Sequence, residues 1–98
     1  MTIGKVVGTI VATQKDSGLD GFKIQIVQSI HLSTGEPRDD FLVAVDAVGA
    51  GSGEYVLCTS GSSARLTGAT ENRPVDGVIV AIVDFFEVEG KEIYRKGG

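Results

Sequence analysis

Few residues in this chain have the chemistry of a reactive site. His31 is the sole histidine and Cys58 the sole cysteine. One cysteine forms neither an internal disulfide nor a zinc cluster, and one histidine without partner ligands holds no metal, so no metal is expected. Asp46 and Asp84 each follow an apolar run. Paired carboxylates can exchange protons, but aspartate at a strand end also makes ordinary turns. Ser62, His31 and Asp84 can be written as a triad, yet no feature of their spacing joins them, and triads are defined by geometry. Cys58 lies among Val56, Leu57 and Thr59 with no basic neighbour, which suits a small buried hydrophobe better than a reactive thiolate. Gly49-Ala50-Gly51-Ser52-Gly53-Glu54 invites comparison with a nucleotide loop. Its spacing is G-x-G-x-G, strand-like residues follow it, and the Gly-Lys-Ser/Thr of a phosphate loop is missing. A tight turn that uses the backbone freedom of glycine accounts for it. The chain is therefore read as non-enzymatic, with no cofactor.

These residues are positioned by elements with the two-residue period of β-strands. Ile3 to Thr13 is rich in Val, Ile and Thr, and turn residues 16–21 follow it. Phe22, Ile24, Ile26, Gln28 and Ile30 alternate with Lys23, Gln25, Val27 and Ser29, a half-buried strand broken by Ser33 to Pro37. Phe41 to Val45 is almost continuously apolar, as in a strand covered on both faces. Glu54 to Thr59 predicts a fourth strand, and Gly61 to Leu66 one short helical turn capped by Ser62 or Ser63. After polar residues 67–76, Gly77 to Val88 predicts the most apolar strand and Lys91 to Arg95 a weak last one. About five closely spaced strands with one short helical turn predict an all-β, five-stranded, OB-like closed barrel. The barrel is assigned to residues 1–86 and a C-terminal extension to 87–98.

Composition narrows the partners. The chain has 98 residues, a net charge of −4, and 9 Lys and Arg that form no stripe. That balance, with no set of aromatics in a basic groove, disfavours nucleic acid. The competing reading, an OB-fold ligand- or nucleic-acid-binding module, would need such a groove. The apolar runs are far shorter than a bilayer span, so no membrane partner is expected. The opening Met1 to Lys5 lacks signal-peptide character, and the lone cysteine suits a reducing cytoplasm. A barrel this small has one interior, yet Phe41–Val45 and Val78–Val83 offer apolar side chains to both faces. Another copy of the chain is the simplest cover for the second face, which predicts an obligate oligomer.

Several stretches resemble a known family. Ile3 to Thr13 resembles the opening of the bacterial microcompartment vertex (EutN/CcmL) family. Val45 to Glu54 matches its D-x-x-G-A-G-x-G-E pattern, and Gly61-Ser62-Ser63-Ala64-Arg65 its G-S-S-A-R turn. Asn72 to Asp76 and Ile79 to Asp84 match its N-x-P-V-D and I-V-x-I-V-D stretches. The matched motifs span residues 2–84; the loop Leu32–Asp40 and the tail 85–98 fall outside them. The resemblance implies an OB-like barrel assembling as a homopentamer that caps the five-fold vertices of a polyhedral microcompartment shell in the bacterial cytoplasm. Its partners would be further copies of itself and hexameric shell proteins. Asp46, Gly49, Gly51, Gly53, Gly61, Ser62, Ser63, Arg65 and Asp76 would then serve subunit contacts or the surroundings of the five-fold axis. Arg65 and Asp76 would make polar contacts that set the ring geometry, and the tail would cross to a neighbour or meet an adjacent tile.

Overall fold

The computed structural model describes residues 1–11, 22–60 and 77–97. Seven strands run as β1 (Thr2–Ile10), β2 (Lys23–Ile30), β3 (Pro37–Asp46), β4 (Tyr55–Ser60), β5 (Gly77–Ile82), β6 (Phe85–Val88) and β7 (Lys91–Arg95). The first five close into a barrel in the order β1-β2-β3-β5-β4, as expected from the strand spacing. All its pairings are antiparallel except the short parallel contact of β3 with β5, at Val45↔Val78 and Asp46↔Ile79. The described residues contain no helix; the helical turn expected at 61–66 lies outside them.

Five strands enclose a narrow interior, and the residues that fill it are correspondingly slim. Val6, Val27, Ala44, Ala50, Val56, Cys58 and Ile79 form the buried cluster, with Leu42 and Ile82 packed against it. Gly4 lets β1 approach β2 closely. A Cβ there would stand 2.5 Å from the Gln28 carbonyl oxygen and 2.6 Å from Val27 Cγ1.

The structure completes one expectation and changes another. The alternation in β2 is real, but its more polar set faces inward. Gln25 and Val27 are 1% and 0% exposed, while Ile24 and Ile26 are only half-buried. An irregularity between Gln28 and Ile30 then turns Ile30 into a buried position. Burying Gln25 is tolerable because its amide is bonded at both ends. Thr9 donates to its Oε1 at 2.7 Å, and its Nε2 donates to the Ala50 carbonyl at 3.0 Å and to Asp46 Oδ2 at 3.4 Å.

The single strand expected from Gly77 to Val88 is two. β5 ends at Ile82, and after Val83 and Asp84 the chain enters β6, which pairs only with β7 in a separate ribbon. The Val83 amide donates to the Tyr55 carbonyl at 2.8 Å, and the Lys96 amide donates to the Asp84 carbonyl at 2.8 Å, pinning the junction. Phe85 and Phe86 therefore pair with the ribbon.

Candidate functional site

Four of the residues singled out from sequence, Asp46, Gly49, Gly51 and Gly53, come together in the loop joining β3 to β4. Asp46, 7% exposed at the end of β3, accepts the Val48 and Gly49 amides on Oδ1 at 3.0 and 2.8 Å. Glu54 Oε1 accepts the Gly51 amide at 2.6 Å. The Glu54 amide donates to the Gly51 carbonyl, and the Gly53 amide to the Val6 carbonyl. Gly49 and Gly53 have φ of +78° and +85°, where a side chain would strain the backbone. The Val48, Gly49, Gly51, Gly53 and Glu54 amides are thus bonded within the chain, three of them to the carboxylates of Asp46 and Glu54, the reverse of a phosphate cradle. Gly61, Ser62, Ser63, Arg65 and Asp76 lie outside the described residues.

The reactive candidates are dispersed. His31 is exposed at the β2–β3 turn, where its carbonyl accepts the Gly35 amide at 2.7 Å. Asp84 is exposed between β5 and β6, and Asp46 is committed to the loop. Among the described residues, no three His, Cys, Asp or Glu side chains are grouped to hold a metal.

Cys58 is fully buried, as its neighbours suggested. Burial, reinforced by the charge of Asp46, pushes its thiol from 9.0 up to about 11. The folded chain keeps a proton that the unfolded chain releases near pH 9.0, so stability falls as pH climbs from 9.0 towards about 11. In mildly alkaline buffer the native protein is expected to resist a thiol-reactive disulfide dye, and the urea-unfolded chain to react at once. Rapid labelling of native protein would contradict this placement.

The tail folds back on its own barrel. Tyr94 stacks on Tyr55 with ring centroids 3.9 Å apart. Lys96 Nζ pairs with Glu54 Oε2 at 2.5 Å; this bond holds the Glu54 carboxyl below its usual range and the Lys96 ammonium above its own. Ile93 packs over Gly35, whose φ is +77°.

The largest departure from a self-contained molecule is on the outside of β1–β2–β3. Ile10, Ile24 and Val45 share one cross-strand row, Gly8, Ile26 and Val43 the next, and Lys5, Gln28 and Phe41 a third. Val45 is covered by its cluster with Val78, Phe22 and Val80. Phe41 and Val43 remain 60% and 48% exposed, and Ile10 36%. The doubly apolar character of Phe41–Val45 announced half of this face. The contribution of Ile24 and Ile26 was hidden, because a strand's period separates its two faces without saying which is inside.

The family model described as ethanolamine utilisation protein EutN/carboxysome matches residues 1–84. The carboxysome shell vertex protein CcmL of Gloeobacter violaceus is 42% identical over 96 residues, covering 98% of this chain and 95% of its own. The bacterial microcompartment shell vertex protein EutN of Salmonella typhimurium is 41% identical over 96 residues, covering 98% and 96%. The solved Gloeobacter violaceus CcmL superposes with a TM-score of 0.92 at 41% identity, over 100% of both chains. A pentameric microcompartment shell protein from Rhodospirillum rubrum superposes with a TM-score of 0.81 at 40% identity, over 90% of this chain and 99% of the other. With a slim closed barrel, an amide-satisfied glycine loop and relatives matched along nearly its whole length, the chain belongs to the EutN/CcmL family of microcompartment shell proteins.

Proposed function

We propose that this chain assembles as a homopentamer that caps the five-fold vertices of a bacterial microcompartment shell in the cytoplasm. The role is structural and not catalytic. The observation that carries it is the apolar face of Ile24, Ile26, Phe41 and Val43, left open on a barrel that is otherwise closed. Covering such a face releases roughly 25 cal/mol per Å² of apolar area, and an identical neighbour supplies the cover. Relatives named as shell vertex proteins, and a solved relative described as pentameric, support the ring and its place in the shell. A planar array of hexameric tiles closes into a polyhedron only where five-fold units interrupt it, so the proposed partners in the shell are hexameric shell proteins.

Asp46 and the glycines at 49, 51 and 53 form a loop held rigid from within, suited to a subunit contact or to the surroundings of the axis. Gly61, Ser62, Ser63, Arg65 and Asp76 are assigned to the same role by family resemblance. Native mass spectrometry tests the assembly. The expected particle weighs about 51 kDa, five copies of 10.2 kDa. A stable 10.2 kDa particle at micromolar concentration would refute it.

A further inference from the structure

Gly49 and Gly53 are required in their loop by positive φ, but Gly51 lies outside that region of backbone space. Its reason is room. A Cβ at Gly51 would stand 3.3 Å from Glu54 Oε1, tighter than side chains ordinarily pack. Glycine is what lets the carboxylate reach the Gly51 amide. The same carboxylate has a second task, because its Oε2 accepts from Lys96 Nζ, 42 residues along the chain. Glu54 therefore stands between two segments, one oxygen on the glycine loop and the other on the tail.

The tail depends on such an anchor. β6 and β7 pair only with each other, and a two-stranded ribbon is marginal alone. The ribbon is fixed to the barrel where Tyr94 stacks on Tyr55, the residue after Glu54, and where Lys96 meets Glu54 itself. The Glu54 and Lys96 side chains are 23% and 46% exposed, so the pair is within reach of solvent ions, which weaken it. With Lys96 in place, the carboxylate is set from both sides and the Gly51 amide keeps its acceptor. Without it, the flexible glutamate side chain regains rotamers that point away from Gly51.

We propose that the tail ribbon is a strap whose closure on Glu54 orders the glycine loop, so that loop and tail loosen together. The coupling runs within one chain and is the same for any number of copies. It is reciprocal, since whatever frees the tail frees the loop by the same factor, and the reverse.

Amide hydrogen exchange, read by NMR on the full chain, tests both directions. Lys96→Met keeps the length of the stem and deletes the charge. It should speed exchange of the Gly51 amide about two- to fivefold, the range of an exposed ion pair. The Val48 and Gly49 amides, held by Asp46, should stay at the wild-type rate. High salt should bring wild-type Gly51 exchange towards that of the variant and leave the variant unchanged. In the other direction, Gly51→Ala crowds the Glu54 carboxylate and should speed exchange of the Lys96 amide, which donates to the Asp84 carbonyl. Arg95→Gln removes the Arg95–Glu92 pair inside the ribbon and should leave Gly51 as it was. Comparisons are made where native mass spectrometry gives wild type and variant the same mass, so a change of assembly cannot imitate the effect. Lys96 is exposed, so its variant carries the test by itself if Gly51→Ala fails to fold. The proposal is overturned if Lys96→Met leaves Gly51 at the wild-type rate, or speeds Val48 and Gly49 equally. It is equally overturned if Arg95→Gln has the same effect on Gly51, or if folded Gly51→Ala leaves the Lys96 amide unchanged. A wild type that is not a pentamer would refute the assembly reading and leave the strap standing.

Discussion

Val43→Asp is expected to turn the pentamer into folded monomers of 10.2 kDa. Val43 is 48% exposed on the single chain, so the barrel tolerates a carboxylate there. In the proposed ring the same position is covered by the next copy. An unpaired charge at a buried contact costs about 3–5 kcal/mol, enough to weaken each contact more than a hundredfold. The cost recurs around the ring, which sharpens the loss. Val43→Thr keeps the shape and exchanges a methyl for a hydroxyl; it should retain the pentamer but lower the concentration of urea that dissociates it. Size-exclusion chromatography with light scattering separates these outcomes. A Val43→Asp protein that remains a pentamer would exclude the outer β2–β3 face from the subunit contact.

Asp46→Ala should cost roughly 3 kcal/mol of folding stability, measured by urea unfolding at fixed protein concentration. Asp46 accepts two loop amides on one oxygen and Gln25 Nε2 on the other, in a site 7% exposed. Alanine leaves the Val48 and Gly49 amides without their acceptor and Gln25 Nε2 with only the Ala50 carbonyl. Against a total stability of about 5–15 kcal/mol for a domain, that is a large fraction. Asp46→Asn keeps one carbonyl oxygen for the loop amides and should recover most of the loss. Equal midpoints for the alanine variant and the wild type would show that the loop holds itself without Asp46. The comparison matters for assembly, because this network ties β1, β2 and β3 to the glycine loop through Thr9, Gln25, Asp46 and Ala50.

Much of this protein is determined by local sequence. Glycines and turn residues punctuate runs of Val and Ile at a spacing that only short strands satisfy, and a closed barrel follows from their number. The apolar continuity of Phe41 to Val45 predicted a second face needing cover, and Cys58 among Val56 and Leu57 predicted a buried thiol. Glycines 49 and 53 mark positive-φ positions of a turn, as their spacing suggested.

What only the tertiary structure decided depends on partners distant in sequence. In β2, the alternation separates Gln25 and Val27 from Ile24 and Ile26, but their assignment to inside or outside rests on bonds from Gln25 to Thr9, Asp46 and Ala50, which lie 16, 21 and 25 residues away. The apolar run from Gly77 to Val88 conceals a break after Ile82, because hydrophobicity is blind to the Val83–Tyr55 and Lys96–Asp84 backbone bonds that turn the chain. Periodicity reports how side chains alternate within a strand; which side is buried, and what gathers beside it, is settled by long-range hydrogen bonds and packing.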